Sequence, residues 1–363
     1  MCAVDFQKIS LLIIAGGKSS RLGEDKRFIK IGGVTLLENI LRKAVAQNFS
    51  EIFLCVEENF LQIKNLAEKY RAKILVDEIK NAGALSGIAN GLQHSKNHWA
   101  FAVSCDMPFF DFEILKRVNL SEVAAIVPTV EGRQQMLSAF YHKSAAEIFL
   151  NKLSNGQKKI FDAIKKIPHN FIEFEDAENF FNVNTRADLK LARGRAENLL
   201  RQVPIISVIA PTSGTGKNTF IEKVTKNLTA ADLKIGVIKS DAHGFNLDVE
   251  GKDSQKFQDA GAKSVAVISP AAWFMIQQTD ERENFLHVAE KFDNVDLIFV
   301  ETRAHGIFPA LSLWRGKGEV IADEKVAAIF SSKIQPAKDF FQADLNDTAT
   351  AIKIILFLAG LKL

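Results

Sequence analysis

Short, wholly apolar runs alternate along this chain with stretches whose apolar residues recur every three or four positions. In the first half the runs are Leu11–Ala15, Glu51–Val56, Lys73–Val76, Trp99–Ser104 and Val123–Val127. Between the first two, Leu36, Ile40, Leu41, Ala44 and Val45 fall on one helical face. A run apolar at nearly every position and too short for a helix fits a strand covered on both sides. Strand and helix in regular succession predict a mostly parallel sheet with helices on both faces. Ligands of such sheets bind beyond the carboxyl ends of the strands, so chemistry is expected just after each apolar run.

The alternation breaks once and restarts. Arg186–Leu200 reads as a highly charged helix ended by Pro204, and Ile205–Ala210 opens a second series with strands at Gly236–Lys239 and Leu297–Val300. A chain of 363 residues is long for one domain. Domains at 1–200 and 203–363 are expected, joined by a short connection because no Gly/Ser-rich or Pro-rich tether intervenes. Asp347–Leu361 reads as a closing helix begun by an Asp/Thr cap. The fold class expected is α/β, as two doubly wound three-layer domains.

Composition mainly excludes. A hydrophobic share of 47% with 25% charged residues suits a chain that buries a sizeable core. A formal charge of +3 gives no general attraction to nucleic acid or membranes, so electrostatic specialisation must be local. The apolar run Ile354–Gly360 is far short of a bilayer span. The opening residues MCAVDFQK lack the basic segment and apolar core of a secretory signal. Cys2, Cys55 and Cys105 form no CxxC pair, and such a sparse, odd set points to a reducing cytoplasm.

The chemistry is densest at LIIAGGKSSRLGEDK, residues 12–26. A buried strand ending in a glycine turn lets backbone N–H groups approach an anion. Arg21 and Lys26 then supply cationic charge for a triphosphate. Two commoner phosphate loops do not fit. Gly16 and Gly17 are adjacent, so G-x-G-x-x-G is absent, and Leu12 stands where a Walker loop ending at Gly17-Lys18-Ser19 needs its first glycine. The stretch resembles the LAGGxSxRMGxDK signature of nucleotidyltransferases of the molybdenum cofactor guanylyltransferase type. Ala15, Gly16, Gly17, Ser19, Arg21, Gly23, Asp25 and Lys26 match, with Ile14 for Leu and Leu22 for Met. The resemblance implies a Rossmann-type domain like the nucleotide-diphospho-sugar transferases, with Ile14, Ala15, Gly16, Gly17 and Lys26 at the nucleotide.

Asp77 follows the third strand, ahead of Gly83-Ala84-Leu85-Ser86-Gly87, where that family carries an Asp and then GPLAG. A carboxylate there can accept hydrogen bonds from guanine N–H donors or from the ribose, and the resemblance implies a nucleotide contact without saying which. The small residues alone read as a helix start chosen for tight packing. Cys105-Asp106-Met107-Pro108 follows the fourth strand and is similar to the family's CDxP metal motif. Asp106 is well placed to hold Mg²⁺ between phosphate oxygens, or else it shapes the turn. Cys105 is expected to be a buried residue rather than a nucleophile. His94 and His98 have the spacing of two zinc ligands on one helix, but no Glu follows His94 and a solvated surface is expected.

Two further segments resemble the family's acceptor side. Gly132-Arg133-Gln134-Gln135 through Tyr141 is similar to GRxQPLxALY, making Arg133 a candidate for the acceptor's phosphate; a solvated hairpin arginine fits equally well. Phe180-Phe181-Asn182-Val183-Asn184-Thr185 is similar to FxNxNTxxDL, which implies that Asn182 and Asn184 lie near a pterin. On a strand the two asparagines would share a face. Thr185 reads as an N-cap with Asp188 completing a capping-box variant.

In the second half, the strand Ile205–Ala210 leads into Pro211-Thr212-Ser213-Gly214-Thr215-Gly216-Lys217-Asn218-Thr219 and a helical pattern. This is a Walker-loop context, with Lys217 and the loop N–H groups around a phosphate. Pro211 replaces the opening glycine, and Asn218 replaces the metal-binding hydroxyl, with Thr219 one place late. Phosphate binding at Gly214, Gly216, Lys217, Asn218 and Thr219 is therefore expected, and the two departures leave open whether the domain hydrolyses GTP. Glu301 ends the strand Leu297–Val300 as a Walker-B-type carboxylate. With Gly251-Lys252-Asp253-Ser254 and Ala260-Gly261-Ala262, the region resembles the P-loop adaptor of molybdopterin-guanine dinucleotide biosynthesis. The histidine-containing segment is thinned to Ser240-Asp241-Ala242-His243, which leaves no assigned role for His243.

Together the resemblances imply a guanylyltransferase fused to its adaptor, acting on GTP and molybdopterin or its molybdenum-loaded form with Mg²⁺. Arg21, Lys26 and Asp106 would carry the chemistry, and molybdoenzymes or a molybdenum insertion protein would be partners. A CTP-using transferase of the same fold, a P-loop NTPase with a non-catalytic first domain, and a scaffold are the alternatives.

Overall fold

A computed structural model describes residues 4–16, 22–58, 60–77, 79, 82–120, 122–240, 256–257, 259–303, 308–333 and 339–363. Its packing divides the chain into two compact units, Met1–Arg193 and Gly194–Leu363.

The first unit is built on strands β1 (Ile9–Ile14), β2 (Glu51–Val56), β3 (Lys73–Val76), β4 (Trp99–Ser104), β5 (Ala125–Val130), β6 (Arg133–Gln134), β7 (Ser138–His142) and β8 (His169–Glu173). Their order is β8-β5-β7-β4-β1-β2-β3, with β6 paired to β5. The half from β4 to β3 is parallel, as the alternation predicts. In the other half β7 runs antiparallel between β4 and β5, so the sheet is mixed. The fifth apolar run forms its strand two residues later than read, at Ala125–Val130.

Every residue of β1 is buried, because alternate side chains feed two different cores. Leu11 and Ile13 join Leu37, Ile40, Leu41 and Ala44 of α1 (Leu36–Ala46) and Ile63 and Ala67 of α2 (Leu61–Lys69). Leu12 and Ile14 join Leu85, Ile88 and Leu92 of α3 (Ala84–His94) and Phe149 of α4 (Ala146–Ser154). The result is three layers. Glycines let α3 lie close on the sheet. A Cβ on Gly91 would stand 2.6 Å from Leu12 Cδ2, and one on Gly87 3.1 Å from Cys55 Cβ. A short helix α5 (Ile160–Ile164) precedes β8. The charged helix α6 is Arg186–Asn198, and the division between the units falls within it.

The second unit carries a wholly parallel six-stranded sheet. Its strands are β9 (Ile205–Ile209), β10 (Ile235–Lys239), β13 (Leu297–Glu301), β14 (Ala310–Trp314), β15 (Val326–Ser331) and β16 (Phe341–Asp344). They are ordered β10-β13-β9-β14-β15-β16. A separate antiparallel pair, β11 (Ser264–Ile268) and β12 (Trp273–Gln277), lies outside this sheet. Helices of this unit among the described residues include α7 (Lys217–Ala230), α8 (Phe285–Ala289) and α9 (Thr348–Ala359). Helix α9 opens on Asp347, whose side chain accepts from Thr350 N, and closes on left-handed Gly360. Among the described residues no helix is long and apolar enough to cross a membrane.

Candidate active site

The parallel ladders of the first unit continue one residue past the strand ends and bring three loops to one edge. Ala15 N donates to Cys55 O at 2.9 Å, Asp77 N to Val56 O at 2.9 Å, and Cys105 N to Ile14 O at 3.2 Å. The residues following β1, β3 and β4 therefore emerge at the same edge, with β2 between β1 and β3. The bend Ala15–Gly16, Asp77 and Asp106 all belong to this carboxyl edge, where a doubly wound sheet binds ligands.

Lys26 reaches the same edge on a short 3-10 turn, Lys26–Phe28, capped by the Asp25 side chain. Its Nζ lies 2.5 Å from Asp106 Oδ2, and both side chains are largely buried. Burial works against the ammonium charge, but the Asp106 carboxylate outweighs it and holds Lys26 above the ordinary lysine range. Asp106 Oδ1 is buried and has no hydrogen-bond partner among the described residues. A buried carboxylate oxygen without a partner is costly, and it fits a cation or donor that arrives with substrate. Among the described residues no three His, Cys, Asp or Glu side chains are grouped as a metal cage. Mg²⁺ fits such a site, since it is commonly held by one or two carboxylates together with substrate phosphates.

Asp77 flanks the bend on its other side. A Cβ on Gly16 would stand 3.9 Å from Asp77 Oδ2 and 3.4 Å from Glu57 Cγ, so a side chain there would fill the space beside the carboxylate. Asp77 Oδ1 is likewise buried without a hydrogen-bond partner among the described residues. Burial pushes the Asp77 carboxyl up to about 6; a hydrogen bond with Ser86 draws it down, and the Glu57 charge adds to the rise. The structure thus brings together Ile14, Ala15, Gly16, Lys26, Asp77 and Asp106. Gly17 and Arg21 lie outside the described residues, as do Lys18, Ser19 and Ser20.

Val183 N donates to Asp106 O at 2.9 Å, so the asparagine segment passes directly behind the Asp106 backbone. Asn182 and Asn184 do not alternate on a strand. The segment is irregular, because its central N–H is spent on the Asp106 loop instead of a ladder. Asn182 Nδ2 donates to Phe180 O at 2.9 Å, and Asn184 is exposed. The capping box is reciprocal: Asp188 N donates to Thr185 Oγ1 at 3.1 Å, and Thr185 N to Asp188 Oδ2 at 2.8 Å. Arg133 is exposed on the hairpin β5–β6, beyond the left-handed turn Glu131-Gly132. Helix α3 ends at His94, so His94 and His98 share no helix; His94 Nδ1 contacts Asn90 O, and His98 stacks on His142. Cys105 is buried, and burial pushes its thiol up to about 12, which leaves no nucleophile at neutral pH.

Sequence reasoning passed over Arg27. Its guanidinium forks onto Asp25, Nε to Oδ1 at 2.9 Å and Nη2 to Oδ2 at 2.6 Å, while Nη1 reaches Ala15 O at 3.4 Å. It thereby ties the turn carrying Lys26 to the bend after β1. Its place next to Lys26 was visible in the sequence, but a third adjacent charge gives no sign of which one turns inward.

In the second unit, Gly214 and Gly216 take left-handed backbone, φ 72° and 100°, which lets the loop wrap before α7 begins at Lys217. Thr215 Oγ1 donates to Thr212 O at 2.8 Å and holds the loop shape. Lys217 is buried, with Nζ 3.8 Å from Glu301 Oε1 at the end of β13. Thr219 lies in the first turn of α7. His243 and 251–254 lie outside the described residues.

Residues 11–168 match the model of the MobA-like NTP transferase domain, and residues 205–332 that of molybdopterin guanine dinucleotide synthesis protein B. A probable molybdenum cofactor guanylyltransferase of Peptoclostridium acidaminophilum is 31% identical over 212 residues, covering 52% of this chain and 92% of that protein. One from Clostridium perfringens strain 13 is 31% identical over 193 residues, covering 49% and 92%. The crystal structure of molybdopterin-guanine dinucleotide biosynthesis protein A from Archaeoglobus fulgidus is 24% identical with a TM-score of 0.46, covering 51% and 97%.

Proposed function

Because the chain belongs to the molybdenum cofactor guanylyltransferase family, we propose that it transfers GMP from GTP to the terminal phosphate of molybdopterin, with or without molybdenum. The product is molybdopterin guanine dinucleotide, and pyrophosphate leaves. The domain limits proposed are 1–200 for the transferase and 203–363 for a nucleotide-binding assisting domain. The observation that carries the reading is the Lys26–Asp106 pair beside the Ala15–Gly16 bend, with Asp106 Oδ1 buried and unpartnered among the described residues.

A phosphate oxygen of the acceptor is already nucleophilic, so little general-base help is required. It attacks the α-phosphorus of GTP, a new P–O bond forms, and the bond to the β-phosphate oxygen breaks with its electron pair on pyrophosphate. Catalysis is then positioning plus charge neutralisation. Backbone N–H groups at Gly16 and Gly17 cradle the phosphates. Lys26 and Arg21 neutralise charge that gathers on the leaving group. Asp77 accepts hydrogen bonds from the nucleoside. Asp106 is the proposed holder of Mg²⁺, which when bound withdraws charge from the phosphate oxygens. Arg133, Asn182 and Asn184 are assigned to the acceptor side. The passage of Asn182–Asn184 behind Asp106 supports the two asparagines, and only the motif supports Arg133. Molybdoenzymes and a molybdenum insertion protein are the proposed recipients, in a cytoplasmic setting that the buried free thiols Cys55 and Cys105 support.

The test is pyrophosphate release with Mg²⁺, molybdopterin and each of four nucleoside triphosphates in turn. Turnover with GTP alone is expected. Turnover with CTP and none with GTP overturns the guanylyl assignment.

A further inference from the structure

The phosphate loop of the second unit departs from a metal-dependent site in a way its geometry explains. Where such a loop has a Ser or Thr hydroxyl for Mg²⁺, this chain has Asn218. The Asn218 side chain faces Glu301, and with Nδ2 turned toward the carboxylate it donates to Oε1 at 3.1 Å and to Oε2 at 2.9 Å. That orientation satisfies both groups, whereas the opposite one sets oxygen against oxygen. Lys217 Nζ approaches the same carboxylate at 3.8 Å. Both oxygens of the Walker-B-type Glu301 are therefore engaged by donors from within the protein. A cation there would have to displace the amide, and it would find no hydroxyl from position 218.

The positive charge that a metal would bring is present in another form. A Cβ on Gly216 would stand 3.1 Å from Arg315 Nη2, 3.4 Å from Cζ and 3.6 Å from Nε. The Arg315 guanidinium thus lies against the last glycine of the loop, beside the N-terminus of α7. Its own loop is seated on the phosphate loop, since a Cβ on Gly318 would stand 3.2 Å from Pro211 Cβ and 3.3 Å from Thr212 Cγ2. Trp314 Nε1 donates to Gly318 O at 2.9 Å and fixes the Arg315 turn. Arg is suited to two-pronged phosphate contacts, and here it stands at the mouth of the cradle rather than within the helix.

We propose that the second domain clamps the phosphate chain of a nucleoside triphosphate without a divalent cation. Lys217, Arg315 and the Gly214–Lys217 backbone N–H groups hold the anion, and the Asn218 amide takes the place at Glu301 that a metal would take. The inference rests on reading this domain as nucleotide-binding. It makes the domain a holder of nucleotide, with the metal-dependent chemistry confined to Asp106.

The experiment is calorimetric titration of GTP into the full-length chain, in EDTA and in Mg²⁺, comparing wild type with Lys217→Met to define the Lys217-dependent site. That site is expected to keep the same affinity in both buffers. Arg315→Ala, at an exposed position that leaves the core intact, is expected to weaken it about tenfold in each buffer, the usual cost of one charge-assisted contact. Asn218→Thr is expected to make it metal-responsive, tightening with Mg²⁺. A Lys217-dependent site that vanishes in EDTA, or one indifferent to Arg315→Ala, overturns the proposal. Absence of any Lys217-dependent site in either buffer overturns the nucleotide-binding reading itself, and the proposal with it.

Discussion

Lys26 Nζ and Asp106 Oδ2 are 80 residues apart in sequence and 2.5 Å apart in space, and each depends on the other to be buried with its charge. Removing either partner takes from the other the opposite charge it is paired with at the carboxyl edge of the sheet. Asp106→Ala is therefore expected to lower the GMP-transfer rate by about 10²–10³ or more, the scale of losing one transition-state contact. Lys26→Ala is expected to fall in the same range. The double variant is expected to be little worse than either single one, because the two act as a unit. Steady-state pyrophosphate release measures all three. Lys217→Met serves as the contrast, since loss of transfer with Lys217→Met but not with Asp106→Ala would move the chemistry to the second unit.

Asp77 makes nucleotide binding sensitive to pH. Its carboxyl is raised to about 6 by burial, and only the ionised form is a pure acceptor for N–H donors of a nucleoside. GTP affinity is expected to weaken as pH falls through about 6, and Asp77→Asn is expected to flatten that part of the profile. The stability effect has the opposite sense. A folded-state pKa above the unfolded value gives stability present below the unfolded pKa and lost as pH rises through the folded one. Asp77→Asn is thus expected to be more stable than wild type at pH 8, with the gap closing toward pH 4. Urea unfolding at several pH values checks the sign.

Legibility in the sequence followed burial. Glu51–Val56, Lys73–Val76 and Trp99–Ser104 are strands with the limits read from the apolar runs; the first and third are covered on both faces, while Lys73–Val76 is the half-exposed edge strand and is marked by its β-favouring run alone. The insertion of antiparallel β7 between β4 and β5 was not legible, since pairing order depends on contacts between distant segments. Asn182–Asn184 looked like a strand by local alternation, but the Val183 N–H is committed to Asp106 O. Asp77 and Asp106 were found by their place after strands. Asn218 was visible as a departure, although its role at Glu301 needed the positions of both side chains. Arg315 stands almost a hundred residues from Gly216 and carried no local signal.

Gly91 is expected to be intolerant of a single added methyl group. In an exposed helix Gly→Ala gains about 1 kcal/mol of propensity. Here the new Cβ would stand 2.6 and 2.7 Å from the two Cδ atoms of Leu12, which is fully buried at the centre of β1. Overpacking of this kind costs about 1–3 kcal/mol, so Gly91→Ala is expected to be destabilising overall. Leu12→Ala alone is expected to lose about 2–5 kcal/mol through the cavity it opens. Combined with Gly91→Ala, part of that loss is expected to return, because the methyl enters the vacated space. A chemical-denaturation double-mutant cycle reads the coupling, and simple additivity would show that α3 moves aside instead.

Arg27 acts through the residues on either side of it. Its fork onto Asp25 and its reach to Ala15 O fix the Lys26 turn relative to the bend, and its guanidinium also lies 5.3 Å from the Phe60 ring centroid. With Arg27→Ala, Lys26 keeps its charge but loses part of its aim, so kcat/KM for GTP is expected to drop by about tenfold, the scale of a charge-assisted hydrogen bond. Arg27→Lys is expected to restore little of it, since an ammonium cannot span both Asp25 oxygens while reaching Ala15. Asp25→Asn weakens the same fork from the other end and is expected to reproduce the kinetic defect. A role in overall stability alone would lower the melting temperature and leave the kinetics of the folded fraction unchanged. A split between KM and kcat in the Arg27 and Asp25 variants, with melting temperatures close to wild type, identifies Arg27 as a positioning residue for Lys26.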